Sequence, residues 1–231
     1  MTPEEIDEIL ARNAPAGAGS AAIERVKVSL PPLQPVHPLA SPWALALAFI
    51  MVFAAVAVLG AWALGVGGLP LLSGIQRAVI FPVLFAAGIV AAIAGVREMR
   101  PAGGRRIGSF ALAMGTLAPL AAFALLFSDY DNPRFVAEGL KCLVAGVGCA
   151  IPAALALYLL LRRGFVLEWR AAGLAAGTLA GLAGICMLEL HCPILKAPHL
   201  MLWHVAVVWV CGIGGSLAGC MLAARTRVPE P

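Results

Sequence analysis

Two of the six cysteines stand beside a titratable neighbour: Lys141 precedes Cys142, and His191 precedes Cys192. A cationic neighbour favours the thiolate, the form of cysteine that reacts with oxidants and binds metals. Asp129, Asp131, Glu138, Glu189, His199 and His204 lie in the same stretches of sequence. Thiol, imidazole and carboxylate together suit a soft or borderline metal ion. The candidate metal ligands are Cys142, Cys192, His191 and His199, and the candidate sensing residues are Cys142, Cys192 and His191. No CxxC or HExxH pattern occurs, so the spacing is not that of a zinc finger or a zinc protease. A disulfide between Cys142 and Cys192 is the alternative, and it requires their Cα atoms to lie within about 7 Å. The plainer reading of His191 and His204 is hydrogen bonding at a membrane boundary. Cys149, Cys186, Cys211 and Cys220 read as small apolar fillers.

The elements that must position these groups are membrane helices. Of 231 residues 61% are apolar and 12% charged, with a mean hydropathy of +0.95, against roughly 25% charged in a soluble domain. Six runs of 18 or more residues lack Asp, Glu, Lys and Arg: Trp43 to Val66, Ala78 to Val96, Ile107 to Phe127, Cys142 to Leu161, Ala171 to Leu188 and Leu200 to Ala224. Each is close to the ~20 helical residues that a ~30 Å hydrocarbon layer demands. Lipid offers the backbone no hydrogen-bond partners, so the runs are expected to be helices, giving an all-α, six-span bundle. Pro82 and Pro152 fall inside spans as candidate kinks.

Twelve of the sixteen basic residues fall on one side of the alternating spans: Arg12, Arg25, Lys27, Arg97, Arg100, Arg105, Arg106, Arg162, Arg163, Arg170, Arg225 and Arg227. Cytoplasmic loops retain positive charge, so both termini are expected in the cytoplasm. The candidate thiols then face the opposite compartment, which is oxidising outside a bacterial inner membrane. The spans contain no ionisable Asp, Glu, Lys or Arg at mid-membrane, which argues against an ion-coupled carrier. Gly173, Gly177 and Gly181 form two consecutive GxxxG steps in the fifth span, and Gly215 with Gly219 repeats the device in the sixth. Such spacing lets helix backbones touch, here within one bundle, with a homo-oligomer seam as the other use.

Residues 1–42 form a separate segment, followed by the span region 43–224 and a short tail 225–231. Thr2, Pro3 and Glu5 provide an N-cap, a first-turn proline and a capping box, which predict a short helix carrying Ile6, Ile9 and Leu10 on one stripe. After a Pro/Gly/Ala/Ser linker, Ala22 to Leu30 carries Ile23, Val26 and Val28, and five prolines from Pro31 to Pro42 stiffen the approach to the first span. This composition fits a marginal segment that folds into a partner's groove, with Ile6, Ile9, Leu10, Ile23 and Val26 as the contacting residues. Its acidic start differs from the basic start of a cleaved signal peptide, so no removal is expected.

The string Leu160, Leu161, Arg162, Arg163, Gly164, Phe165, then Glu168, the Gly/Ala-rich fifth span, and Glu189, Leu190, His191, Cys192, Pro193, Ala197, Pro198 and Trp203 resembles the NrsF family of bacterial inner-membrane anti-sigma factors. The resemblance implies a multi-pass inner-membrane regulator of signal transduction and stress response, not an enzyme. It implies that the N-terminal segment holds an extracytoplasmic-function sigma factor, without touching nucleic acid itself. It also implies that Cys142 and Cys192 respond to oxidative or heavy-metal stress, with no permanent cofactor beyond a transient metal ion. Ile194 follows Pro193 where the family pattern leads us to expect an acidic residue. The rival readings of the same cysteines are a membrane thiol oxidoreductase and a small metal exporter.

Overall fold

A computed structural model describes residues 40–100 and 107–226, together with the separate positions Glu4, Glu8 and Arg12. Those three positions are helical, and Arg12 donates to Glu8 at 2.8 Å, an i,i+4 pair. Ile6, Ile9, Leu10, Ile23 and Val26, expected to meet a partner, lie outside the described residues, as do the linker and most of the proline run. The chain divides into two units, Met1–Pro38 and Leu39–Pro231.

The second unit contains six helices long and apolar enough to cross a membrane: α1 (Pro42–Leu64), α2 (Gly74–Glu98), α3 (Gly108–Leu126), α4 (Phe135–Leu161), α5 (Trp169–His191) and α6 (Ala197–Ala224). No strand occurs among the described residues. Local chemistry sets the ends. Ser41 caps α1 by accepting from the Ala44 amide at 3.3 Å, with Pro42 in its first turn, and the helix stops at Gly65, whose φ of 95° suits glycine. Ser73 and Gln76 close a capping box on α2, and the Gln76 amide also donates to the Leu126 carbonyl at the end of α3. Pro82, Pro119 and Pro152 lie inside α2, α3 and α4.

The charge-free runs differ most from these helices at α4, which begins seven residues before Cys142. Glu138 and Lys141 sit in its first two turns, where Lys141 is exposed and Glu138 half-buried. Charged residues are tolerated at a helix end because their long side chains reach back toward water. Cys142 is therefore two turns inside a helix instead of at its mouth. Similarly, α5 continues past Leu188 and takes in Glu189.

Helix α5 is the centre of the bundle: 78% of its most apolar window is buried, against 22–50% for the other five. The outward faces carry Leu47, Met51, Leu125, Val144, Leu155 and Leu217, all exposed, as expected of surfaces solvated by lipid. The α5–α6 contact is made backbone to backbone. A methyl group added at Gly173 would meet the Gly215 carbonyl oxygen at 2.1 Å, and one at Gly177 the Cys211 carbonyl oxygen at 2.2 Å. From α6, Gly215 and Gly219 face the Gly173 and Trp169 carbonyls equally closely. The GxxxG steps thus serve packing within this chain. Helix α4 uses the same device less extensively, since Gly184 lies against the Gly146 carbonyl.

The six helices alternate in direction, so the bundle has two ends. At the end where α1 begins, the Phe165 amide donates to the Met99 carbonyl at 3.0 Å. At the other end, the Gly68 amide donates to the Leu190 carbonyl at 3.0 Å, and the Ala197 amide to the Asp129 carbonyl at 2.8 Å. Gly177→Leu is expected to destabilise the bundle by about 3 kcal/mol or more through overpacking, read as a lowered thermal transition in detergent. Gly148→Leu, at an open position with nothing within 4 Å, should leave that transition unmoved.

Candidate functional site

The end of the bundle remote from Pro42 holds a set of buried polar side chains drawn from three places. Cys142 comes from α4, Cys192 from the residue that caps α5, and His199 and His204 from the first turns of α6; Glu189 lies in the last turn of α5. Residues 192–196 alone join α5 to α6, so residues 192–199 form a short bridge over that end.

The start of α6 is not a regular α-helix. Leu200–His204 is a π turn between the short helical turn Ala197–His199 and the α-helix Val205–Thr226. In an α-helix, residues five apart point about 140° away from each other. The wider π turn, closed by i→i+5 bonds, returns them to one face, and such turns recur at functional sites. The His199 and His204 rings consequently lie edge to face with centroids 5.2 Å apart.

The Sγ atoms of Cys142 and Cys192 stand 3.4 Å apart as free thiols, and Cys192 Sγ lies 3.6 Å from His199 Nε2. One donor atom from each of Cys142, Cys192, His199 and His204 falls within 4.8 Å of every other. His204 donates from Nδ1 to Glu189 Oε1 at 2.6 Å, and these two side chains are wholly enclosed. This bond leaves the second ring nitrogen of His204 without a partner, and Glu189 Oε2 and His199 Nδ1 are likewise unpaired. Unpaired buried polar atoms are costly and uncommon in native proteins. Here several sit around one small space.

Cys192, which lies in the loop beyond the α5 helix, has its thiol pushed above the ordinary range, first by its hydrogen bond with Cys142 and then by burial. The loop chain opposite is fastened by Asp129, which pairs with Lys196 and accepts from the Asp131 amide at 3.1 Å. Its carboxyl is held below the usual carboxylate range, chiefly by Lys196.

The structure therefore brings together Cys142, Cys192 and His199 of the expected ligands and leaves His191 out of the cluster. The His191 ring pairs through Nδ1 with the Gly65 carbonyl at 2.8 Å. Position four belongs to His204, with Glu189 behind it. Adjacency to Cys192 favoured His191 in the sequence, but at the end of α5 that side chain is directed toward the α1–α2 loop. The signal that could have found His204 was a histidine within an otherwise charge-free run, fifteen residues from a glutamate. Cys149 lies against Gly60 and the Val56 carbonyl, a packing contact between α1 and α4, and Cys220 is exposed at the opposite end of the bundle.

Removing one partner of a buried ion or hydrogen-bonded pair strands the other, at a cost of about 3–5 kcal/mol. Glu189→Leu should lower the thermal transition of the purified chain accordingly, while Glu189→Gln, which keeps an acceptor for His204 Nδ1, should recover most of the loss. Equal transitions for wild type and Glu189→Leu would contradict the pairing.

No curated protein and no solved structure matches the chain. The family model described as NrsF, negative regulator of sigma F, matches residues 32–224, which include all six helices and every member of the cluster. On that match the chain belongs to the NrsF family.

Proposed function

We propose that this chain is an inner-membrane anti-sigma factor, a regulator and not an enzyme. Its N-terminal segment sequesters an extracytoplasmic-function sigma factor from the cytoplasmic side, and a reaction at Cys142 and Cys192 on the other side releases it. The observation that carries the sensing half is the approach of two free thiols to 3.4 Å at the bundle end remote from Pro42. A peroxide, reduced as it takes up two electrons and the two thiol protons, would join these sulfurs, which must close to about 2.0 Å. A heavy-metal ion that captures the two sulfurs likewise draws them to a separation other than the one they keep at rest. Either event alters how the α4 backbone sits against the end of α5.

A signal must also reach α1, which continues from the N-terminal segment, and coupling needs an element that both sites bias. The α1–α2 loop supports such a role. The Gly65 carbonyl accepts from the His191 ring, Gly68 donates to the Leu190 carbonyl, and a side chain at Gly68 would strike the Cys192 carbonyl oxygen at 2.5 Å. The loop that ends α1 thus rests on the residues flanking Cys192. His191, expected as a sensing residue, takes the part of a coupling residue in this account.

Three linked outcomes are expected in cells carrying a sigma-dependent reporter. Deleting residues 1–38 should derepress the reporter at least tenfold without stress. Cys142→Ser and Cys192→Ser should keep sigma capture in a pull-down yet lose induction by oxidant, and His191→Ala should weaken induction while both thiols remain reactive. Wild-type induction in both serine variants would refute the sensing assignment; failure of the full chain to capture any sigma factor would refute the partner assignment.

A further inference from the structure

We infer that Cys142, Cys192, His199 and His204 form a closed four-coordinate site for a resident divalent cation of borderline softness, zinc being the best fit, with Glu189 as the carboxylate that orients His204. This rests on the reading of the same cluster as the sensing site and names the ligand class that it takes at rest.

The distances are compatible with an ion held between the same thiols. Tetrahedral donors around zinc, with Zn–S about 2.3 Å and Zn–N about 2.0–2.1 Å, stand roughly 3.3–3.8 Å from one another. The Cys192 sulfur is 3.6 Å from His199 Nε2, as a zinc-bound sulfur and nitrogen would be, and the thiol sulfurs, 3.4 Å apart, would open by about 0.4 Å to the ~3.8 Å of two zinc-bound sulfurs. All four donor atoms lie within 4.8 Å of one another, so the widest pair would close by up to about 1 Å around an ion.

The polar accounting points the same way. His204 gives Nδ1 to Glu189 and keeps a second ring nitrogen buried with no partner, in a side chain that is 0% exposed. A metal-bound histidine normally gives its other N–H to a carboxylate or carbonyl, which fixes the tautomer and turns the lone pair toward the ion. A π turn that places two histidines on one face completes the set.

The charges balance as well. Binding converts both thiols to thiolates, whose protons pass to water, and the two negative sulfurs neutralise the dication, so the enclosed centre carries no net charge of its own. The soft pair of sulfurs selects against magnesium and calcium, and a site with four protein donors leaves no open position for hydrolytic chemistry. The ion would join α4 to the α5–α6 bridge, so its loss frees the elements on which the α1–α2 loop rests.

The test uses the full chain, purified in detergent under reducing conditions, exposed to Zn²⁺ alone and desalted before metal analysis. One zinc per chain is expected. Co²⁺ in its place should give the intense visible bands of a tetrahedral ion and sulfur-to-cobalt charge transfer. His199→Ala and His204→Ala should each lose the tetrahedral spectrum. Glu189→Gln should bind about 10–100-fold more weakly with the spectrum retained, and Cys149→Ser should match wild type. Circular dichroism and size exclusion identify any variant that fails to fold, in which case the Glu189→Gln affinity decides. A folded wild-type chain that retains no zinc, or full binding in both histidine variants or undiminished binding in Glu189→Gln, overturns the site. Sigma-factor capture by the same preparations separates the two readings: capture without zinc overturns only the metal site, and zinc without capture overturns only the anti-sigma assignment.

Discussion

The close approach of α5 and α6 is the constraint on which the molecule depends. Lipid tails are as apolar as leucine, so the helices gain nothing from simple burial and must associate by surface fit. Gly173, Gly177, Gly215 and Gly219 remove the side chains that would hold the two backbones apart, and the carbonyls of the opposing helix occupy the space. With α5 fixed against α6, the residues between them have few ways to run. Cys192, His199 and His204 are then drawn over the end of α5, next to Glu189, and α4 needs only a close packing of Gly146 on Gly184 to deliver Cys142.

A buried glutamate and two buried histidines are expensive in such a bundle. Glu189 and His204 offset part of that cost through their mutual bond, but a ring nitrogen and a carboxylate oxygen stay unpaired beside two thiols. Stability alone does not explain this arrangement, because an apolar core of the same volume would hold the helices with no such penalty. The chemical event proposed for the thiols and imidazoles would account for it. The α1–α2 loop, hydrogen-bonded to the same turn of α5, gives that event a physical neighbour in the helix that follows the N-terminal segment. The family match to a negative regulator of sigma F supplies the kind of partner that the segment would hold.

Much of this was legible in the sequence, for reasons that differ between elements. The spans could be read because charges interrupt them, and the α5–α6 contact because glycine at four-residue intervals has one common use in lipid. Cys142 and Cys192 could be paired because both fall toward one side of the alternating runs. The first turns of α4 escaped because Glu138 and Lys141 mark an apparent boundary where the helix has already begun. His204 was passed over for His191 because adjacency along the chain is visible and a π turn is not. The Glu189–His204 bond joins residues on two helices, and only the packing of those helices brings them within reach.

The central claim is a relay between opposite faces of a membrane, and its most direct test is sidedness. A single cysteine introduced at Tyr130, an exposed residue of the α3–α4 loop, or at Ser20 of the N-terminal segment, can be probed in a background whose native cysteines are replaced. A membrane-impermeant maleimide applied to intact spheroplasts should label Tyr130→Cys, and Ser20→Cys only after lysis. Labelling of both positions before lysis, or of neither, would place them on one side and contradict the relay.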